Sequence, residues 1–456
     1  MQYFNNLIAT LILIILFPFC LLAQDKAVVR DSINTYSNLD FKHMKAQLGI
    51  TTENRPGPSG NPKDPNAANT DELKVHNYNL PELLLSSSGQ RILTEKQWEQ
   101  ERRMELLQSI ETEMYGTIPK HIPKVSWSIL TSKDTLIGNI LVEEQHLLGV
   151  VDNAQYPELS VEIEVLLGIP KTQDTIATPV VIQLGFIHSP FYRIQEPKSY
   201  FISPFEPLFK QQLTTQGWGY AVVDVNSIQA DHGAGLLSGI IGLINRGKRR
   251  SSTDWGVLRA WGWGVSSLID YFETRLAVDH NRIAVEGTSR YGKAALVAMA
   301  FDTRISLGFI GSAGAGGSSI LRRNFGETLE NLASPGEYHW FSGNFLKYAS
   351  IMTVNDLPFD AHSVIALCAP RPVFISAGSS NIEGHWVDAK GMFLGGKFAS
   401  PVYELYGLQG YANEEFPVMG KALTDGEIAF RQHSGGHSTG PNWSTWIAWA
   451  RKYWDK

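Results

Sequence analysis

The stretch Val285-Glu286-Gly287-Thr288-Ser289-Arg290-Tyr291-Gly292-Lys293, running on into Ala294-Ala295-Leu296-Val297-Ala298-Met299-Ala300, decides the fold. Ahead of Glu286, Arg282-Ile283-Ala284-Val285 reads as a short buried strand. Behind it, small and apolar residues fall at helical spacing. A serine at a sharp strand-to-helix turn is where α/β-hydrolases expose their nucleophile. Gly287 and Gly292 flank that turn, where the two backbones come too close for side chains. The second glycine comes one residue later than in G-x-S-x-G. A plain helix N-cap serine is therefore the competing reading of Ser289.

Working outward, the flanking chain alternates strand and helix patterns. Val125-Ser126-Trp127-Ser128-Ile129, Ile137 to Val142 and Val161 to Leu166 are β-like. The runs 179–186 and 219–225 are continuously apolar, as central parallel strands covered on both faces require. Leu307 to Ile310, Pro372 to Ser376 and Glu427 to Arg431 read as later strands, followed by a closing helix from Trp443 to Trp454. Thr94 with Gln97 offers a capping box for a helix carrying Trp98, Met104, Leu107 and Ile110. Between Asp254 and Thr274, a helix places Val257, Leu258, Trp261, Val265, Leu268, Ile269 and Phe272 on one face. Its tryptophans fit helix-to-sheet packing better than a sugar platform. This alternation predicts an α/β fold, a doubly wound, mostly parallel sheet with helices on both faces. Catalytic groups then belong on loops at the carboxyl ends of the strands.

Composition narrows the function classes. The chain has 456 residues, is 43% hydrophobic and carries a formal net charge of -6. With no basic block, nucleic acid and anionic membrane surfaces are poor partners. Leu7 to Ala23 is almost wholly apolar and precedes Gln24-Asp25-Lys26, which predicts a signal peptide at 1–23 and an exported protein. With that leader removed, Cys368 is the remaining cysteine, so no internal disulfide forms, and its apolar setting makes it a small buried hydrophobe. Residues 24–70 end in Arg55-Pro56-Gly57-Pro58-Ser59-Gly60-Asn61-Pro62, which reads as an extended or mobile linker. A single domain over 71–456 follows. The 12 histidines are scattered, and neither a metal site nor a cofactor is expected.

The string Gly287-Thr288-Ser289-Arg290-Tyr291-Gly292-Lys293 resembles the G-C-S-R-x-G-K signature of the glucuronoyl esterases, carbohydrate esterase family fifteen, with Thr288 in place of the cysteine. The Trp-rich helix before it, Gly316 to Glu327, Gly336 to Phe341, and Leu357 to His362 running on to Pro372 are also similar to that family. The resemblance implies an α/β-hydrolase fold and a serine esterase acting on esters of (4-O-methyl-)glucuronic acid, such as those linking glucuronoxylan to lignin. It implies Ser289 as nucleophile, Arg290 as a side-chain donor to the oxyanion, and Lys293, Glu327, Glu337 and Trp386 as sugar contacts.

For the base, His437 follows the last strand in Arg431-Gln432-His433-Ser434-Gly435-Gly436-His437, the Ser-acid-His order of the fold. His433 is its competitor. The acid departs from the pattern. Many family members carry a glutamate early in the loop where this chain has Gly311-Ser312-Ala313-Gly314, so Ser312 holds its place. The alternative loop contains Asn381-Ile382-Glu383-Gly384-His385-Trp386-Val387-Asp388, and some bacterial relatives place their acid there, shortly before a Trp. Glu383 is the expected acid and Asp388 the alternative, with Asp388 also suited to cap a helix from Ala389. Asp360 and His362 precede their strand and are expected to be scaffold. The whole reads as a secreted or periplasmic monomer with glucuronoxylan or a glucuronate ester as substrate. A carbohydrate acetyl esterase of the same fold, or a non-catalytic glycan-binding relative, are the alternatives.

Overall fold

A computed structural model describes residues 29–171, 177–187 and 208–455. The apolar leader expected at 1–23 lies outside them. The described strands form one ten-stranded sheet: β1 (Val125–Ile137), β2 (Ile140–Val151), β3 (Glu162–Pro170), β4 (Thr178–Gly185), β5 (Gly219–Asp224), β6 (Val278–Thr288), β7 (Leu307–Gly311), β8 (Val373–Ala377), β9 (Ala422–Leu423) and β10 (Ile428–Gln432). Their order is β1-β2-β3-β5-β4-β6-β7-β8-β10-β9. From β5 to β10 the neighbours run parallel, whereas β1, β2, β3 and β5 pair antiparallel and β9 closes the far edge antiparallel. Every residue of β4, β7 and β8 is buried, because helices cover both faces.

On one face pack the helices Val257–Phe272 and Arg290–Phe301, with Trp261 and Trp263 buried among them. Trp261 donates its indole N–H to the Gln229 carbonyl at 2.9 Å, so the tryptophans of this helix are packing groups. On the other face the closing helix Trp443–Trp454 lays its tryptophans on the sheet: Trp446 stacks on Phe309 at 5.5 Å, and Trp454 meets Trp218 edge-on at 4.8 Å. Large aromatic areas buried in offset and edge-to-face contacts make this a strongly held layer. Cys368 is fully buried, and burial pushes its thiol up to about 11.

Three expectations change. Ile137 to Val142 is not one strand: Gly138, at φ 59°, and Asn139 form a two-residue hairpin turn joining β1 to β2. The helix after Thr94 does have its capping box, but Trp98–Arg102 and Glu111–Tyr115 are π-helical. The wider turns shift the phase, so Leu106 is buried with Trp98 and Ile110 while Met104 is exposed.

The third change concerns 24–70, read above as a linker. Residues 29–47 are helical, and Phe41 and Met44 enter the main core. Asp40 accepts from the Tyr338 hydroxyl at 2.5 Å and pairs with Arg249 at 2.7 Å. The Pro/Gly-rich stretch is pinned in turn, with Arg55 donating to the carbonyls of Ser350 and Tyr348 and Asn331 donating to that of Pro58. Polar Ser37 and Asp40 sit within the buried stripe and dilute its hydrophobic period, which hides the helix from a pattern reading.

Candidate active site

The loops after β5, β6, β7, β8 and β10 meet at the carboxyl edge of the sheet, and every expected site residue lies on them or on the first turn of the helix after β6. Ser289, between β6 and the helix Arg290–Phe301, has φ 64° and ψ −130°. That conformation is costly for a residue with a Cβ and marks a strained elbow. Its N–H donates to the Gly311 carbonyl at the end of β7 at 2.8 Å. A Cβ on Gly287 would lie 2.3 Å from the Tyr291 carbonyl oxygen, and one on Gly292 would lie 2.6 Å from that of Gly311. Both glycines are thus steric requirements of the turn, including the late one.

His437 Nδ1 lies 2.6 Å from Glu383 Oε1, and Glu383 Oε2 accepts the Gly378 N–H at 2.6 Å. A carboxylate only accepts, so Nδ1 carries the proton and Nε2 of the neutral ring is an acceptor. The competitor His433 is buried and braces the same loop. Its Nδ1 accepts from the Gly435 N–H at 3.0 Å and its Nε2 donates to the Ser438 carbonyl at 2.8 Å. Burial lowers its pKa, so it stays neutral.

Asp388 is occupied elsewhere. It caps the helix Ala389–Leu405 by accepting from the Gly391 N–H at 2.8 Å, and it pairs with Arg323 at 2.9 Å and Ser319 at 3.1 Å. Burial raises its pKa against the opposing pull of Arg323. Ser312, in the place of the family's usual glutamate, is buried at φ 44°, and its hydroxyl has no hydrogen-bond partner among the described residues. Asp360 and His362 are scaffold: Asp360 pairs with Arg322 at 3.0 Å, and His362 contacts the Pro81 carbonyl at 3.0 Å.

Arg290 Nη1 donates to Asp231 Oδ2 at 2.7 Å, and its guanidinium lies over the Trp340 ring at 5.2 Å. Asp231 Oδ1 in turn meets His339 Nε2 at 3.0 Å and accepts from Trp340 Nε1 at 2.6 Å. Burial alone would raise the Asp231 carboxyl, but the His339 bond, the Arg290 charge and the Trp340 bond hold it below its usual value. Sequence reasoning missed Asp231. It lies in an unremarkable loop after β5, and its significance comes from partners 59, 108 and 109 residues away.

Beside this pair, buried Lys293 donates to Glu327 Oε2 at 3.2 Å, and Trp386 Nε1 donates to Glu327 Oε1 at 3.2 Å. Lys293 also lies 5.5 Å from the Trp340 ring. Glu337 is held above the ordinary carboxyl range, first by burial and then by the Glu327 charge, against the pull of Lys293 and Arg290. Its Oε2 is buried without a hydrogen-bond partner among the described residues. The structure thus brings Lys293, Glu327 and Trp386 into one hydrogen-bonded group, with Glu337 in their electrostatic neighbourhood. Among the described residues, no group of three or more His, Cys, Asp or Glu side chains could hold a metal ion.

Known proteins match along the same lines. A family model described as glucuronyl esterase, fungi, matches residues 249–407. A CE15 glucuronoyl esterase from Teredinibacter turnerae is 40% identical, with a TM-score of 0.83 covering 92% of this chain and 100% of that one. A glucuronoyl esterase from Solibacter usitatus is 30% identical, with a TM-score of 0.73 over 84% of this chain and 100% of its own. The carbohydrate esterase MZ0003, from an unknown prokaryotic organism, is 29% identical over 85% of this chain and 92% of its own length. On this similarity, extended over whole relatives and joined to the α/β-hydrolase sheet, the chain belongs to the glucuronoyl esterases of carbohydrate esterase family fifteen and is a carboxylic ester hydrolase.

Proposed function

We propose that this protein is an exported serine esterase that cleaves esters of (4-O-methyl-)glucuronic acid, of the kind that join glucuronoxylan to lignin alcohols. Ser289 Oγ attacks the uronate carbonyl as His437 Nε2 takes its proton. Glu383 keeps Nδ1 protonated and stabilises the imidazolium. The Arg290 guanidinium and the backbone N–H after the serine receive the oxyanion. His437 then gives its proton to the departing alcohol. In the second half, water loses a proton to His437 and attacks the acyl-serine, releasing the uronic acid and restoring Ser289. Glu327 and Glu337 accept from sugar hydroxyls, Lys293 donates to them, and the Trp386 ring covers the apolar face of the sugar.

One observation carries this reading. Ser289, Arg290 and Lys293 share the first turn of one helix, which sets a strained serine beside a guanidinium held by Asp231 and a buried Lys293–Glu327 pair. An acetyl group needs no such array, whereas the hydroxyls and ring face of a uronate use all of it. Export rests on the leader-like sequence at 1–23. Among the described residues, no helix is long and apolar enough to cross a membrane.

The test is cleavage of a benzyl ester of glucuronic acid beside acetylated xylan, with Ser289→Ala as control. Serine-dependent cleavage of the uronate ester alone is expected. Acetate release alone would reassign the acyl group, and no release from either would favour glycan binding.

A further inference from the structure

Glu286 stands three residues before Ser289 in β6, between Gln183 of β4 and Phe309 of β7. Its carboxyl is buried, and no ion pair reaches it among the described residues. Two donors hold it: Gln183 Nε2 at 2.8 Å on Oε2 and the Thr439 hydroxyl at 2.7 Å on Oε1. A carboxyl buried without a cation is an expensive way to fill space, and burial pushes its pKa up to about 7. A group that only packs would serve better as an apolar residue. What this carboxyl adds is a second acceptor, aimed across the sheet at Thr439.

Thr439 lies two residues after His437. Its methyl packs where a side chain on Gly311 would sit, 2.2 Å from an ideal Cβ there, and Gly311 is also the acceptor for the Ser289 N–H. Among the described residues, other anchors of the His437 loop run to β8, to the segment after it and to Arg431 of β10. Ser379 N–H donates to the Gly435 carbonyl at 2.8 Å, and Asn442 Nδ2 donates to Ser376 Oγ at 2.8 Å. These fix the loop against β8 and β10; among the described residues, the hydrogen bond that ties it to β6, two strands from β8 in the sheet, is the one from Thr439.

We propose that Glu286 is a positioning residue for the esterase reaction, holding the His437 loop in register with the Ser289 elbow through the Thr439 hydroxyl. The inference rests on the reading of His437 as the base. A histidine loop displaced by a fraction of an ångström still accepts substrate but transfers the proton poorly, so the loss belongs in kcat.

The experiment compares Thr439→Val, Thr439→Ser and His437→Ala on the benzyl ester of glucuronic acid. Valine matches threonine in shape and lacks the hydroxyl, whereas serine keeps the hydroxyl. We expect Thr439→Val to lose about tenfold or more in kcat with KM within about twofold, since small misplacements cost up to about a hundredfold. Thr439→Ser should recover most of that loss. Should the valine protein fold poorly, Glu286→Gln, which keeps an acceptor oxygen for Thr439, and Glu286→Leu, which keeps none, give the same contrast. Wild-type kcat in Thr439→Val, equal losses in the serine and valine variants, or a loss confined to KM would overturn the proposal. Activity surviving in His437→Ala would instead overturn the assignment of the base, which separates the two failures.

Discussion

Glu383 holds His437 by one carboxylate oxygen, at 2.6 Å from Nδ1, while the Gly378 N–H fixes the other oxygen at 2.6 Å. One oxygen is thus committed to the loop after β10 and the other to the backbone just past β8. Asp388, five residues on in the same loop, turns to the helix it caps and to Arg323.

The two acids should therefore fail differently. Glu383→Ala is expected to lower kcat by about 10³–10⁴, by analogy with loss of the acid from other triads, and to cost about 1 kcal/mol or somewhat more for the Gly378 N–H left without its acceptor. Asp388→Ala leaves buried Arg323 with Glu72, at 2.6 Å, as its remaining described ion-pair partner and removes a helix cap, so it should cost about 3 kcal/mol of stability, the low end for a broken buried pair. Steady-state kinetics beside thermal melts separate them, and the opposite pattern would move the acid to Asp388.

Arg290→Ala should lose about 10²–10³ in kcat, the range for one oxyanion donor. Asp231→Asn keeps the shape but weakens the clamp on the guanidinium, so a smaller loss in kcat is expected. Equal kcat in Asp231→Asn and wild type would show that Arg290 needs no such support.

Lys293→Met should raise KM for the glucuronate ester by about ten- to a hundredfold, the worth of a charge-assisted hydrogen bond. Hydrolysis of a small acetyl ester should be unchanged. A parallel loss on both substrates would place Lys293 in the scaffold rather than against the sugar.

Glu286 gives stability a pH dependence. Its folded-state value, about 7, lies above the ordinary 4.5, so folding binds its proton more tightly. That contribution is fully present below about pH 4.5 and is lost as pH rises through about 7, on the order of 3 kcal/mol in all. Glu286→Gln does not titrate. Its Tm relative to wild type should climb between about pH 4.5 and 7 and level off above, and a constant difference would mean that Glu286 ionises as if exposed.

Met44→Ala should cost about 2–5 kcal/mol, as for a buried side chain in any core. An unchanged Tm would show that residues 29–47 contribute nothing to the folded domain.

By itself the sequence determined what local stereochemistry controls. The apolar strand runs, the Thr94–Gln97 capping box and the glycines around Ser289 each follow from contacts within a few residues, so the α/β-hydrolase class and the elbow were legible. The order of chain segments likewise put His437 in a loop after the last strand. Tertiary structure decided what depends on distant partners. Glu383 and Asp388 are both acidic and neighbours in sequence. They are told apart by the reach of His437, 54 residues from Glu383, and of Arg323, 65 residues from Asp388. Asp231 acquires its place from Arg290, and Glu286 from Thr439. The helix 29–47 was illegible because its buried stripe contains Ser37 and Asp40, polar groups satisfied only by the surface they meet. A carboxylate's direction is set by whichever donors the fold brings within about 3 Å, and no local pattern encodes that.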